Sequence, residues 1–348
     1  MPTTDALLRA ASGIAPVFGI DPEAIEVLSH SENVVCDLTL PGGRHVVMRL
    51  HRPGYNTLDE LRSEVLWVAS LGAAGIPVPR PLPTIGNEYY TSVDIDGEAH
   101  HVGLVEWVNG QPLGSVIRSD EGENDSGADD RGEHGIGNPR RVRDLIAHFR
   151  SVGEIAARIR VHNNDWSQPA DFQRRRWDAD GLVGDTPLWG RFWEVAILTD
   201  RQRAVLSQAR SVLRERLSTL STGADRFGLI HADLHLGNLM ADGDRLTVID
   251  FDDAGYGWFP HELAVALHPV MHELWYHDAR KSLLAGYRKF HPLANDEEQL
   301  IDTFLAVRCL TLVGWLDARP EVPEYEFLPD VVAQATSVAE NYLAGNDC

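Results

Sequence analysis

The segment FGLIHADLHLGNLMADGDRLTVIDFDD, residues 227–253, holds the most informative residues of the chain. It opens with an apolar run and returns as a second β-rich run at 246–249, a pattern that predicts two strands. Asp233 and Asn238 lie five residues apart in the predicted loop between the strands, and Asp250 lies at the end of the second strand. The segment therefore predicts three oxygen-bearing side chains that face one cavity.

These three side chains fit the chemistry of phosphoryl transfer, which depends more on positioned charge than on covalent catalysis. Asp233 is the candidate base that accepts or orients the proton of an acceptor hydroxyl. Asn238 and Asp250 supply the oxygen ligands that magnesium prefers. A capped turn followed by an acidic strand end is the alternative interpretation. Neither GxxxxGK[ST] nor GxSxG occurs in the chain, which argues against P-loop NTPases and α/β-hydrolases.

The composition is typical of a globular protein with an acidic surface. The 348 residues, 43% hydrophobic and 24% charged, suffice for one large or two moderate domains. A formal net charge of −21 disfavours nucleic acid as a partner; it would favour cationic substrates, although solubility alone is the simpler explanation. We expect no membrane partner, because no apolar run reaches about 20 residues. Three scattered cysteines and no evident signal sequence fit a cytoplasmic location.

The first 108 residues are predicted to form strands and one helix. A short Gly-containing link between the first two β-rich runs predicts a hairpin. Thr57 and Glu60 have the spacing of a capping box, and apolar residues at helical spacing follow as far as Gly72. The predicted strands are 33–40, 45–50, 88–93 and 99–108.

Beyond residue 108 the pattern becomes mostly helical. The segment 119–138 holds seven acidic residues and five glycines and predicts a disordered insertion, since it cannot bury enough surface to offset its ordering entropy. The run Arg174-Arg175-Arg176-Trp177 is interpreted as a solvated basic turn, with binding of an anionic substrate or peptide as the alternative. The predicted helical regions are 142–159, 200–217 and several from Glu262 onward. We expect an α+β protein with an N-terminal lobe at 1–108 and a C-terminal lobe at 109–348.

Two motifs carry a resemblance to a known family. HADLHLGN at 231–238, followed by IDFDD at 249–253, resembles the Brenner-type loop and metal aspartate of the aminoglycoside phosphotransferase/choline kinase superfamily. Other segments, including PVPRP at 77–81, resemble its stress-response kinase and homoserine-kinase-like branch as much as the resistance enzymes. The resemblance implies the two-lobed protein-kinase-like fold, with a small antiparallel-sheet N-lobe and a larger, mostly helical C-lobe. It also implies ATP and magnesium as cofactors.

The resemblance further implies which residues bind the nucleotide. A turn at 31–34, which lacks a full GxGxxG, would cover the β-phosphate. Arg49 stands where protein kinases have a lysine beside the α- and β-phosphates, and Glu64 is its expected helix partner; a surface arginine is the alternative. Backbone groups of the hinge at 106–108 would bind adenine. The residues implied are Ser31, Asn33, Arg49, Glu64, Glu106 and Val108.

The sequence leaves the acceptor open. We expect a small hydroxyl compound, such as an aminoglycoside-like antibiotic, an amino alcohol, homoserine or a sugar, because Asp250 leads within ten residues to Pro260 and leaves little room for a protein-kinase activation segment. The alternatives are a stress-response Ser/Thr protein kinase and a nucleotide-binding pseudokinase, which the arginine at position 49 keeps open. The oligomeric state and the choice between ATP and GTP also stay open. His235 lies between the presumed base and metal ligand and is a further candidate to line the site, with its role open. The residues expected near the mouth of an acidic acceptor pocket are Asp252, Asp253, His261 and Glu262.

Overall fold

The computed structural model describes residues 3–30, 33–118 and 139–345, which form two compact units. Unit 1 comprises Met1–Val108, Trp166–Arg175 and Glu321–Pro323, and unit 2 comprises Asn109–Asp165, Arg176–Pro320 and Glu324–Cys348. The first boundary falls at the predicted residue 108, but two short later segments return to unit 1, which a linear division of the sequence does not include. Ser31 and the predicted insertion at 119–138 lie outside the described residues.

Unit 1 is built on an antiparallel sheet. Its described strands are β1 (Ala24–His30), β2 (Val34–Leu40), β3 (Arg44–Leu50), β4 (Pro81–Leu82), β5 (Tyr90–Ile95) and β6 (Glu98–Glu106), and its helices are α1 (Thr4–Ile14) and α2 (Leu58–Ala73). The strand order is β1-β2-β3-β6-β4, with β5 paired to β6. The predicted hairpin is β2–β3, whereas α1 and β1 are elements that the sequence patterns did not indicate.

Alternation along β3 determines which face of the sheet carries Arg49. Val46, Met48 and Leu50 are buried in a core that also includes residues of α1. Arg49 lies between two of them and therefore points to the opposite face, where it is half-buried. Its neighbours across the strands are Val35 on β2 and Gly103 on β6. The sequence alone does not assign this face.

Helix α2 begins where the capping box predicts. The Thr57 hydroxyl accepts a hydrogen bond from the Glu60 N–H at 3.2 Å, and the Glu60 carboxylate accepts one from the Thr57 N–H at 2.9 Å. The two residues satisfy backbone donors that the first turn of a helix leaves without partners. The helix ends at Ala73, one residue after the predicted stop at Gly72.

Unit 2 is mostly helical and contains two small sheets. Its described helices are α3 (Leu113–Arg118), α4 (Pro139–Asp165), α5 (Ala179–Val183), α6 (Asp200–Ser218), α7 (Phe259–Leu267), α8 (Tyr276–Tyr287), α9 (Asn295–Asp317) and α10 (Leu328–Leu343). Its strands are β7 (Gln111–Pro112), β8 (Arg176–Trp177), β9 (Phe227–Ile230), β10 (Leu239–Asp242), β11 (Arg245–Val248) and β12 (Gly255–Trp258). The sheet orders are β11-β10-β7 and β8-β12-β9. The predicted α+β fold class is confirmed.

Helix α9 is a core element of unit 2. Within the described ranges it is the one helix long and apolar enough to cross a membrane, and 72% of its most apolar 18-residue window is buried inside the fold. Phe304, Leu305 and Val307 are fully buried. The apolar composition of α9 is therefore explained by packing in a core, where helices can be hydrophobic on most sides.

Candidate active site

The loop between β9 and β10 is compact because its own polar groups bond to one another. The Asp233 carbonyl accepts hydrogen bonds from the His235 N–H at 2.8 Å and from Asn238 Nδ2 at 2.9 Å. A short 3₁₀ turn, Leu236–Asn238, then leads into β10. These contacts bring Asn238 to Asp233, as the five-residue spacing predicts.

A buried carboxylate fixes the backbone of this loop. Glu262 on α7 accepts hydrogen bonds from the N–H groups of His231 at 2.8 Å and Ala232 at 2.9 Å. Burial raises the pKa of Glu262 to about 7, although the two N–H groups act in the opposite direction. Ala232 has a φ of 64°, a left-handed conformation that costs about 1–3 kcal/mol and persists only where neighbouring groups enforce it. Glu262 is thus a buried support of the loop.

The Asp233 carboxylate contacts three side chains. Arg308 Nη2 donates to Oδ1 at 2.6 Å, Asn238 Nδ2 donates to Oδ2 at 2.9 Å, and His235 Nε2 lies 3.3 Å from Oδ2. Burial by itself would raise the pKa of Asp233, but the charges of His235 and Arg308 outweigh it and hold that pKa well below its usual range. The carboxylate is therefore ionised at neutral pH and can accept a hydrogen bond from a hydroxyl.

The hairpin of β10 and β11 brings Asn238 close to Asp250. The Ile249 N–H donates to the Asn238 carbonyl at 3.0 Å, so Asn238 lies opposite the residue that precedes Asp250. Asn238 uses Nδ2 for both of its bonds to Asp233, which leaves the amide oxygen for a cation. Asp250 has a φ of 63°, an uncommon conformation that is often found at functional sites.

The donor atoms of Asn238 and Asp250 fit a magnesium ion. Both offer oxygen, and magnesium usually takes one or two protein ligands together with phosphate oxygens and water. Residues 3–30, 33–118 and 139–345 contain no cluster of three or more His, Cys, Asp or Glu side chains placed for a metal. That finding is compatible with a magnesium site in which nucleotide and water supply most ligands.

His231 connects the loop to the strand that ends at Asp250. Its Nε2 lies 3.0 Å from the Ile249 carbonyl, and its Nδ1 accepts from the Asp233 N–H at 3.3 Å. Burial lowers the pKa of His231, so the ring is neutral, and these partners assign the proton to Nε2. The ring also packs against Phe251, with centroids 4.5 Å apart. His231 therefore couples the two halves of the site.

The residues predicted for the acceptor side differ in exposure. His235 is one-third exposed and contacts Asp233. His261 and Glu262 are only 3% exposed, because α7 packs against α9; the His261 ring stacks on Phe304 at 5.4 Å. Asp252 and Asp253 are also buried. These four side chains are therefore buried rather than exposed at a pocket mouth, and their contact with an acceptor stays a prediction.

The residues predicted for the nucleotide lie on several elements of unit 1. Asn33 precedes β2, and its Oδ1 accepts from the Arg52 N–H at 3.0 Å. Glu106 ends β6; its N–H donates to the Arg80 carbonyl at 2.9 Å, and its carboxylate pairs with the Arg80 guanidinium. Val108 follows two residues after the strand. Their contacts with a nucleotide stay a prediction.

Glu64 has a partner that the sequence patterns did not indicate. Arg174 Nη1 lies 3.3 Å from Glu64 Oε2 and donates to the Glu60 carbonyl at 3.0 Å. The Arg174 side chain is fully buried, so the interpretation as a solvated turn is wrong for Arg174, whereas Arg176 is exposed. A run of charges shows only local composition, whereas Glu64, the acid that pairs with Arg174, lies 110 residues earlier in the chain. The pairing of Glu64 with Arg49 stays a prediction.

Arg308 is the site residue that sequence reasoning missed. It lies on α9, 75 residues from Asp233, and no motif surrounds it. The available signal was a single charge within the apolar run LAVRCL, residues 305–310. A charged side chain in a buried helix needs a partner, and this rule could have marked Arg308 as a site residue.

Comparisons with known proteins find a family and several kinases that this chain resembles. The model of the phosphotransferase enzyme family matches residues 24–295. An amicoumacin kinase from Bacillus subtilis (strain 168) is 25% identical over 312 residues, which cover 86% of this chain and 81% of that protein. A homoserine kinase from Neisseria meningitidis serogroup B (strain ATCC BAA-335 / MC58) is 25% identical over 169 residues, covering 43% and 52% respectively.

Solved structures show the same fold. A microcompartment-associated aminopropanol kinase superposes with a TM-score of 0.80 and 28% identity, covering 96% of this chain and 97% of that chain. An amicoumacin kinase in complex with AMP-PNP, Ca²⁺ and Ami gives a TM-score of 0.72 at 19% identity, covering 96% and 92%. The predicted enzyme class, a phosphotransferase with an alcohol group as acceptor, is confirmed. The family match covers most of the chain, and this protein belongs to the phosphotransferase enzyme family.

Proposed function

We propose that this protein transfers the γ-phosphate of ATP to a hydroxyl group of a small molecule, with magnesium as the metal. The observation that carries the proposal is the ionised Asp233 carboxylate, bonded to Asn238, whose amide oxygen is left for a cation close to Asp250. Relatives named as amicoumacin, aminopropanol and homoserine kinases support a small hydroxyl compound over a protein as acceptor. An amicoumacin kinase solved with AMP-PNP and Ca²⁺ supports a nucleotide together with a divalent ion.

In unit 2, Asp233 would accept a hydrogen bond from the acceptor hydroxyl and aim its oxygen at the γ-phosphate. Its low pKa favours orientation of the hydroxyl over early proton abstraction, because a strong general base has a pKa near the working pH. Asn238 Oδ1 and the Asp250 carboxylate would hold magnesium. The ion, when bound, would neutralise charge that develops on the transferred phosphoryl group.

In unit 1, the resemblance assigns the nucleotide contacts. Arg49 would neutralise the α- and β-phosphates, and a guanidinium can do so with two parallel hydrogen bonds. Asn33 belongs to the turn that would cover the β-phosphate, and the backbone of Glu106 and Val108 would bind adenine. Glu64 would support the position of Arg49.

The test measures ADP formation with a panel of hydroxyl compounds and a casein-like protein, with and without magnesium. We expect turnover that requires both magnesium and a small hydroxyl compound. Asp233→Asn should lower kcat by about 10²–10⁴-fold, since it removes the catalytic carboxylate. The control Asp242→Asn alters an exposed acid at the end of β10 and should behave as wild type.

Three outcomes would contradict the proposal. Near-normal activity of Asp233→Asn would remove the role assigned to that carboxylate. Phosphorylation of the protein substrate alone would favour the protein kinase alternative. ATP binding without turnover of any acceptor would favour the pseudokinase alternative.

A further inference from the structure

Three side chains on α7, on α9 and in the turn after α7 are among those of unit 2 that carry buried polar atoms without hydrogen-bond partners. In the described part of the chain these atoms are Nε and Nη1 of Arg308, Nδ1 of His261 and Nε2 of His268. Arg308 is 6% exposed and His261 is 3% exposed. Buried polar atoms in proteins are almost always bonded, so a group of them needs an explanation, and a bound ligand supplies one.

The fold brings these three residues together beside Asp233. Phe304 and Arg308 are four residues apart on α9 and so lie on the same helix face. The His261 ring stacks on Phe304, and His268 begins the short turn that follows α7 and packs against α9. Burial lowers the pKa of both histidines to about 3, and the charge of Arg308 lowers both further. Each ring is therefore a neutral group that can donate one N–H.

An aromatic ring covers one face of the Arg308 guanidinium. Arg308 Cζ lies 4.6 Å from the centre of the Trp189 ring, which covers a face of the guanidinium plane. Trp177 and Trp315 pack against Trp189, with centroids 5.3 and 6.4 Å away. Hydrogen bonds to a guanidinium lie in its plane, so a ligand must meet the edge that carries the remaining N–H groups. Such an edge suits the oxygens of a carboxylate.

We propose that Arg308, with His261 and His268, binds a carboxylate of the phosphate acceptor, so that the acceptor is a short hydroxy acid. This inference rests on the proposed function and specifies its substrate class. Arg308 Nη2 already contacts Asp233 Oδ1 at 2.6 Å, so an oxygen bound at Nη1 lies beside the carboxylate that orients the hydroxyl. The acid and hydroxyl groups of the acceptor are accordingly separated by few bonds. An acceptor that carries a carboxylate differs from the cationic substrate that the net charge of −21 would favour.

Matched acceptors test this inference, because each pair differs only in the carboxylate. The pairs are threonine with 1-amino-2-propanol, homoserine with 3-amino-1-propanol, and serine with ethanolamine. For at least one pair we expect wild-type kcat/KM to favour the acid by about 10–100-fold, the range for a charged hydrogen bond. Arg308→Lys keeps the charge but loses the fork, and it should lower this preference about tenfold or more, mainly through the KM of the acid.

The controls separate recognition from structural damage. Arg280→Lys changes a partly buried arginine that pairs with Asp302 away from Asp233, and it should keep the wild-type preference. Thermal unfolding shows whether each variant folds. If a variant does not fold, the preference of the wild type for the acid still tests the inference. Equal loss for both members of each pair in Arg308→Lys would overturn the inference, because Arg308 would then only support Asp233. Turnover of amino alcohols alone would overturn it and leave the proposed function intact, whereas no turnover of any hydroxyl compound would overturn both.

Discussion

Two buried glutamates, one in each unit, are stabilised in different ways. Glu64 in unit 1 pairs with the guanidinium of Arg174 at 3.3 Å. Glu262 in unit 2 accepts hydrogen bonds from the backbone N–H groups of His231 and Ala232. A guanidinium brings a full positive charge, whereas N–H groups bring only partial charges, so burial still raises the pKa of Glu262 to about 7.

The Glu64 contact holds a segment of unit 1 in place, whereas the Glu262 contacts shape a loop of unit 2. The pair of Glu64 and Arg174 ties the returning segment Trp166–Arg175 to α2 within unit 1. Glu262 instead enforces a left-handed backbone at Ala232, immediately before Asp233. We therefore expect changes at the first contact to appear as lost stability, and changes at the second to appear in stability and catalysis together.

The largest expected change in stability comes from Arg174→Met. It leaves the Glu64 carboxylate buried without this arginine, and breaking a buried pair costs about 3–5 kcal/mol. Denaturant unfolding measures the change in the free energy of unfolding. Arg62→Met is the control, because Arg62 lies on the exposed side of α2, the helix that carries Glu64. This change should cost less than about 1 kcal/mol. Equal effects of the two variants would remove the structural role assigned to Arg174.

Asp250→Asn should affect catalysis and leave stability nearly unchanged. Replacing a charged magnesium ligand with a neutral one weakens the stabilisation of the transferred phosphoryl group, a loss of about 10²–10³-fold in kcat. A magnesium titration of the initial rate should also show a higher half-saturating concentration. Asp244→Asn, at the exposed turn between β10 and β11, should change neither kcat nor the half-saturating magnesium concentration. An unchanged magnesium requirement in Asp250→Asn would contradict the ligand assignment.

Glu262→Gln tests the support of the loop. The amide replaces one acceptor oxygen with a donor, so one backbone N–H loses its partner at a cost of about 1–3 kcal/mol. The kcat should fall as well, because the backbone before Asp233 is no longer held. Thermal unfolding and initial rates on the same preparations measure both effects. Glu273→Gln changes an exposed glutamate and is the matched control. Normal activity with reduced stability in Glu262→Gln would show that the loop does not need Glu262.

The pH dependence of stability provides a second test of Glu262. The pKa of Glu262 is raised from about 4.5 to about 7 on folding, so between these values the folded protein keeps a proton that the unfolded chain has released. Unfolding then releases a proton, and this group's contribution to stability is lost as pH rises through that window, by up to about 1.4 kcal/mol per pH unit. The difference in unfolding free energy between wild type and Glu262→Gln should therefore change with pH from 4.5 to 7. A constant difference would contradict the raised pKa.

Local patterns predicted the elements whose signals lie close together in the chain. The capping box of α2 and the β2–β3 hairpin depend on neighbours within a few residues, and the loop at 231–238 carries its bonding groups within eight positions. Helix α1 was missed although Leu7, Ala11 and Ile14 are buried at helical spacing, because eleven residues give a weak periodic signal.

The distant partners of the buried charged residues could not be predicted from local patterns in either unit. Arg174 and Arg308 find their acids 110 and 75 residues away, and Glu262 bonds to a loop about 30 residues earlier. A motif predicts which groups do the chemistry, whereas the partners of buried charges depend on the packing around α2 within unit 1 and of α7 and α9 within unit 2. The proposed acceptor class depends on residues that packing within unit 2 brings together, which is why the sequence left it open.

The most direct test of the central claim follows the phosphoryl group itself. ATP labelled with ¹⁸O in the γ-phosphate is incubated with magnesium, the enzyme and the acceptor panel, and mass spectrometry measures label in each acceptor. We expect a labelled phosphate ester with wild type, and a yield lower by about 10²–10⁴-fold with Asp233→Asn. A labelled ester formed equally by both proteins, or label found only in inorganic phosphate, would contradict transfer to a hydroxyl by the Asp233 site.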